Sequence, residues 1–343
     1  MNLQTWRRAG VIAALRGMSR CVAVAGWSTL AAGGLALFVF SSWGASAADA
    51  SPRVKPETLR IVFHEKVFNG LNVNEATSAF RFLAQTVGRK MGYEIATEIV
   101  VPRSESAYRE ALRTSEFDLV VINPWVLFSE GLEQKIRPEL VVDDGEGTAK
   151  RFLVLTRSDS SLTNLVSLHG RNLVTLNNGF ADVGVFWLDS LLDGSGLGAR
   201  ESFFGTYETA AKPAHVVLPL FFGKKDAAIV DAGSLKVMVE LNPQVGRVVR
   251  PILSSEPMSN PLIAFRSSPW RSDDFRKDIV DAMARFEEDP EGRQVLLLFK
   301  IKRLTRLPAG LLDNVRALHA ARGAAAQRRG DDQVPHAPGV SPP

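Results

Sequence analysis

Short apolar runs suited to buried strands alternate with amphipathic helical stretches through most of this chain, and that alternation limits its fold more than any other feature. "LRIVF" (59–63) reads as a buried first strand. After it Ala76, Ala79, Phe80, Leu83, Val87 and Met91 recur at steps of three and four, which gathers them on one helix face. Asn74 is the expected N-cap and Gly92 the expected stop. "EIATEIVV" (94–101) is the next strand, followed by a helix with Ser104 as its cap. The buried run 119–122 is ended by Asn123-Pro124, because proline brings no donor to a ladder. The pattern then restarts with "RFLVLTR" (151–157), a strand ending at Leu176, another near 227–230, and "NPLIAFR" (260–266). Two helices parted by Asp289-Pro290 close the series. The expected fold is therefore α/β and two-lobed, each lobe a mostly parallel sheet flanked by helices. Residues 55–150 plus 260–318 form lobe 1, residues 151–259 form lobe 2, and two crossing strands near 150–157 and 260–266 join them.

The ends of the chain read differently. The net charge of +4 is carried by Arg7, Arg8, Arg16 and Arg20, since residues 1–47 contain no acid and no lysine. The remainder is close to neutral, which argues against a nucleic-acid partner. An apolar run from Cys21 to Phe40 and then Ala45-Ser46-Ala47 complete the pattern of a signal peptide over 1–47. The run is also long enough to span a bilayer, so an uncleaved membrane anchor is the alternative; the Ala-Ser-Ala site favours cleavage. Cys21, the one cysteine, lies inside this segment, so the exported chain carries no thiol, as suits a bacterial periplasm. Residues 320–343, rich in Ala, Gly, Pro and charge, read as a disordered tail.

Motifs for chemistry are missing. "GEGTAK" (145–150) is too short for a phosphate loop and reads as a turn, and "GSGLG" (194–198) follows a helix rather than a strand. The five histidines stand singly, with no spacing for a metal, and no nucleophile elbow occurs. The expectation is a non-enzyme without metal or cofactor. Binding features do occur, each at the C-terminal end of a strand, where open α/β sheets place ligands. They are Lys66 after the first strand, Asn123 and Trp125 after the run 119–122, Asn178, Gly179, Phe180, Ala181 and Asp182 after Leu176, and Asp231 after Val230. Asp182 and Asp231 have a second reading as helix caps, and Trp125 as core.

The segments "AYREALRTSEFDLVVINP", "FLVLTRSDSSLTNLVSLHGRNLVTL", "PLFFGKKDAAIVD" and "FEEDPEGRQVLLLFKIKRL" resemble, in order and spacing, the solute-binding proteins of bacterial ABC transporters of the phosphate/phosphite/phosphonate-binding type. The resemblance covers about 59–307. It implies the type 2 periplasmic-binding fold, a small-molecule ligand in the interlobe cleft and a permease partner in the inner membrane. Asn123 and Trp125 stand where the family places an aromatic-Gly-Pro loop, and Asp231 where it places an acid that meets a ligand amine. Gly179 opens the equivalent of the family's glycine-hydroxyl loop, but Phe180, Ala181 and Asp182 occupy the positions of the small hydroxyls. Donors are lost there and a negative charge is gained, which opposes a bare dianion. The expected ligand is a small oxyanion or phosphonate-like solute, with a cationic or zwitterionic one as the counterpart that Asp182 would select. A periplasmic ligand sensor or scaffold that uses the same fold to signal to a membrane partner, with a non-phosphonate ligand, is the alternative function.

Overall fold

The computed structural model describes residues 54–68, 71–176, 182–267, 269–270 and 272–331. The strands, in chain order, are β1 (Lys55–Val62), β2 (Tyr93–Val100), β3 (Leu119–Ile122), β4 (Ile136–Asp143), β5 (Ala149–Lys150), β6 (Phe152–Arg157) and β7 (Asn172–Leu176). They continue as β8 (Thr206–Ala210), β9 (Ala227–Asp231), β10 (Val249–Ser254), β11 (Met258–Ser259), β12 (Leu262–Arg266) and β13 (Arg303–Arg306). The helices are α1 (Val73–Lys90), α2 (Glu105–Thr114), α3 (Pro124–Ser129), α4 (Asp182–Gly194), α5 (Arg200–Phe203) and α6 (Pro213–Phe221). After them come α7 (Ala232–Leu241), α8 (Val245–Val248), α9 (Asp273–Met283), α10 (Pro290–Leu298) and α11 (Asp313–Asp331).

The strands form two principal sheets, ordered β13-β4-β12-β3-β1-β2 and β10-β6-β9-β7-β8. The chain leaves the first sheet after β4, builds the second, and returns at β12. The two passages pair with each other as the short antiparallel ribbon of β5 and β11, with Lys150 opposite Met258 and Ala149 opposite Ser259. The two-lobed α/β reading holds, and two of its details differ. The crossing is this short ribbon, while 152–157 and 262–266 belong to the sheets themselves. The sheets are mixed rather than mostly parallel. Only β1 with β2 and β3, and β7 with β8 and β9, run parallel. The physical reason lies in the crossings: β6 and β12 each enter a sheet straight from the other lobe, without the intervening helix that a parallel neighbour needs.

Local chemistry sets the element boundaries. The first helix is capped by Asn72, whose Oδ1 accepts from the N–H groups of Asn74 (2.9 Å) and Glu75 (3.3 Å), two residues before the expected cap. It stops at Gly92, which holds φ at 82°, a left-handed turn that suits glycine. Ser104 caps α2 and Asp289-Pro290 opens α10, as the sequence predicts. In β3 every residue is buried, and the alternation splits them. Leu119 and Val121 join a core beneath α1, α9 and α10. Val120 and Ile122 join a second apolar cluster that continues through Trp125 and Leu127 to Val154 and Ile229 of the other sheet. The first of these cores is loosely filled. It encloses a chamber of about 220 Å³ between the sheet and α9 and α10.

The C-terminal helix corrects the expected tail. α11 carries residues 320–331 in helix, where the sequence reading places disorder. Ala and Arg are strong helix formers, and Arg322 has a docking place. Its guanidinium lies 5.7 Å from the ring centroids of both Trp125 and Phe186 and 3.2 Å from the Asp189 carboxylate. The signal-peptide reading of 1–47 and residues 332–343 lie outside the described residues.

Candidate functional site

Residues at the C-terminal ends of β1, β3 and β9 and in the crossing ribbon line two neighbouring gaps. Asn123 ends β3. Its Oδ1 accepts the Trp125 N–H at 2.8 Å, which starts α3, and proline at the next position fits a first helical turn. Asp231 ends β9 in the same way. It is buried, and its two oxygens accept the Ser234 N–H (2.9 Å) and the Ser234 hydroxyl (2.6 Å), capping α7. Each of those oxygens keeps further acceptor capacity. Lys66 sits in the single turn Glu65–Phe68 after β1, its N–H donating to His64 Nδ1 at 3.0 Å.

Asn123 borders two small gaps, each of about 30 Å³. One is lined by His64, Lys66, Glu105, Tyr108, Arg109 and Phe186. The His64 ring pairs with Glu105 at 2.9 Å and packs edge-on against Tyr108, whose hydroxyl donates to Val121 O. Burial pushes the Tyr108 phenol far up, so it stays neutral. Burial also works to raise Glu105, but Arg109 and then His64 outweigh it and hold the carboxyl below its usual range. Lys66, Arg109 and Glu105 all line this gap, and Arg109 pairs with both Glu105 and Glu130.

The other gap is lined by Pro124, Lys150, Phe152, Val183, Asp231 and Asn260. Lys150 lies 2.7 Å from Asp144 and 4.0 Å from Asp231. Burial alone lowers the affinity of its amine for a proton, yet Asp231, Asp144 and Glu146 together hold its pKa above the ordinary value. One ammonium therefore stands among three carboxylates. Glu146 reaches from the loop after β4 to the N-terminal turn of α7: a Cβ on Gly233 would fall 1.5 Å from its Oε2. A carboxylate is well placed at a helix N-terminus.

Asn123 thus stands between two gaps, one lined by Lys66 and the other by Lys150 and Asp231. Trp125 is placed differently from a ring open to solute. It is 5% exposed, and Phe186 of α4 stacks on it at 4.4 Å between centroids and 21° between planes. Asn178, Gly179, Phe180 and Ala181 lie outside the described residues, and of Asp182 only its place as the first residue of α4 is described. The sequence reading missed Lys150, Arg109 and Phe186. Lys150 was legible only as the end of a glycine-rich turn; its position follows from the ribbon that carries the chain between lobes. Phe186 sits one turn into α4 at an apolar position that sequence cannot tell from core. Among the described residues, no three His, Asp or Glu side chains are grouped as a metal ion requires.

Comparison with known proteins gives the arrangement a family. Solved structures share the fold. A Xanthomonas citri protein bound to ATP aligns with a TM-score of 0.59 at 14% identity, over 79% of this chain and 98% of that one. A binding-protein component of an ABC phosphonate transporter from Pseudomonas aeruginosa aligns with a TM-score of 0.51 at 11% identity, over 81% and 99%. PhnD1 from Prochlorococcus marinus in complex with methylphosphonate gives 0.51 at 13% identity, over 78% and 98%. Among curated proteins, no sequence matches significantly. The family model described as ABC transporter, phosphonate, periplasmic substrate-binding protein matches residues 71–308, which is most of the chain. By that match, this chain belongs to the phosphonate-binding family of periplasmic substrate-binding proteins of ABC transporters.

Proposed function

We propose that the chain is the non-catalytic solute receptor of an ABC importer. It is exported by the segment 1–47 and presents a small oxyanion or phosphonate-like solute to an inner-membrane permease. Lobe 1 is 55–150 plus 260–318 and lobe 2 is 151–259, and the solute lies between them. The preferred solute carries a cationic end as well. The observation that carries this reading is the charge division about Asn123: Lys66 and Arg109 with Glu105 on one side, and Asp231, Asp144 and Glu146 about the single ammonium of Lys150 on the other. The oxyanion end is held by Lys66 and Arg109, and the amine end by Asp231. Asn178, Gly179, Phe180, Ala181 and Asp182 join β7 to α4 and complete the cleft by their place in the sequence. The described gaps are too small for such a solute, so the lobes part about the β5–β11 ribbon to admit it, a hinge motion.

The test is a thermal-shift panel on the exported protein with aminoethylphosphonate, methylphosphonate, phosphate, phosphite, an alkanesulfonate and ATP. A solute well above its Kd raises the midpoint by about 5 °C or more. The reading expects the largest rise from aminoethylphosphonate, and a panel in which no oxyanion moves the midpoint refutes it. A second reading, a periplasmic sensor or scaffold, draws support from α11, which packs on both α3 and α4 and sets Arg322 over Trp125 and Phe186. Under that reading the same panel leaves the midpoint unchanged.

A further inference from the structure

The chamber in the first core lies apart from the gaps about Asn123, though its wall reaches them. Phe63, Phe80, Phe286 and Phe299 line it, with aliphatic side chains from β3, β4 and α10. At about 220 Å³ it exceeds the roughly 150 Å³ in which an apolar cavity takes up benzene. Its charged wall residues, Asp144, Lys150 and Lys300, reach solvent together with Val67, Phe299 and Ile301, and the mouth lies among them. Lys150, Asn260 and Pro261 also line the acidic gap of the cleft.

Lys300 supplies a second, independent observation. It follows α10 with φ at 56°, the left-handed conformation that helices usually give to glycine at this position. The helix end is closed around it, Lys300 N–H donating to Leu297 O at 3.1 Å and Ile301 N–H to Leu296 O at 2.8 Å. A long charged residue stands where glycine is the relaxed choice. Among the described residues its ammonium has no ion-pair partner. Asp144 is already paired with Lys150, whose ammonium also answers Asp231 and Glu146, so Lys300 is the cation at the mouth that no carboxylate among the described residues engages.

We propose that this chamber is a binding site for an amphiphilic anion, its alkyl chain among the phenylalanines and its head group at Lys300. An alkyl chain removes apolar surface from water on both sides. A neutral or cationic head gains nothing from Lys300. Two sources share this chemistry: a free alkanoate, and an alkylphosphonate whose head is of the cleft solute's class.

Calorimetry on the exported protein tests the site with octanoate, octylphosphonate, octanol and methylphosphonate. The expected result is saturable binding of an octyl anion at a single site, with octanol weaker. Binding of both anions marks a general amphiphile site, and binding of octylphosphonate alone marks the phosphonate source. Lys300→Gly is expected to raise the melting temperature, because it relaxes the backbone, and to weaken the octyl anion by about fivefold. A purely structural lysine would give the first effect without the second. Val142→Phe, which narrows the chamber, should weaken octyl anions and leave methylphosphonate untouched. Absence of saturable binding by either octyl anion overturns the proposal, as does unchanged affinity in Lys300→Gly. Methylphosphonate binding is read separately, so failure here is distinct from failure of the cleft reading.

Discussion

At the scale of residues, cooperating charges recur at element ends, and their roles separate by what they touch. Asp289 caps α10 through the Glu291 N–H at 3.1 Å and meets Lys90 of α1 at 2.7 Å. Hydrogen bonding with the Glu291 side chain, then with Lys90, holds its carboxyl down at about 2. A depressed carboxyl contributes stability that is fully present above its ordinary value of 3.8 and is lost as pH falls through about 2. Asp289→Asn keeps an oxygen for the cap and removes only the charge. It is expected to be less stable than the parent at neutral pH, with the gap closing between about pH 4 and pH 2. Urea melts across that range measure it, and a gap that does not vary with pH would place the effect in the cap alone. Asp231 also caps a helix, but it lines the gap beside Asn123, 4.0 Å from Lys150, where the proposed solute amine would lie. Sequence shows both as acids before a helix; only the fold tells them apart.

At the scale of elements, close approaches decide where helices lie. α4 begins at the cleft and packs against β6 through Gly184, where a Cβ would stand 2.5 Å from Phe152 Cδ1. The phenylalanine is buried at the start of β6, so its ring has little room to yield. Gly184→Ala is expected to cost about 1–3 kcal/mol by overpacking. Chemical denaturation checks the value, and a neutral result would mean that α4 shifts freely on the sheet. Much of this level was readable in advance. The strands 59–63, 94–101 and 119–122 and the caps at Ser104 and Asp289 follow from periodicity and side-chain chemistry. Gly184 was invisible, because a glycine needed for helix-on-strand contact leaves no mark in hydrophobic period. α11 was misread past residue 320 because its Ala-Arg composition lacks an apolar stripe, and its helix is held instead by contacts such as Arg322 on two rings.

At the scale of the molecule, the division into two sheets was legible from the restart of the strand–helix pattern. The mixed direction of the strands was not, because direction depends on how the chain crosses between lobes. The charge division about Asn123 was half legible. Lys66 and Asp231 stand out as polar residues after strands, while Lys150 and Arg109 enter the site only through folding. The central claim is that this division selects a solute with an anionic and a cationic end. Calorimetric titration of aminoethylphosphonate and methylphosphonate into the parent protein and Asp231→Asn tests it most directly, since the asparagine still caps α7. The expected result is a loss of about 10- to 100-fold in aminoethylphosphonate affinity, with methylphosphonate unchanged. Equal affinity of Asp231→Asn and the parent for aminoethylphosphonate would contradict the account.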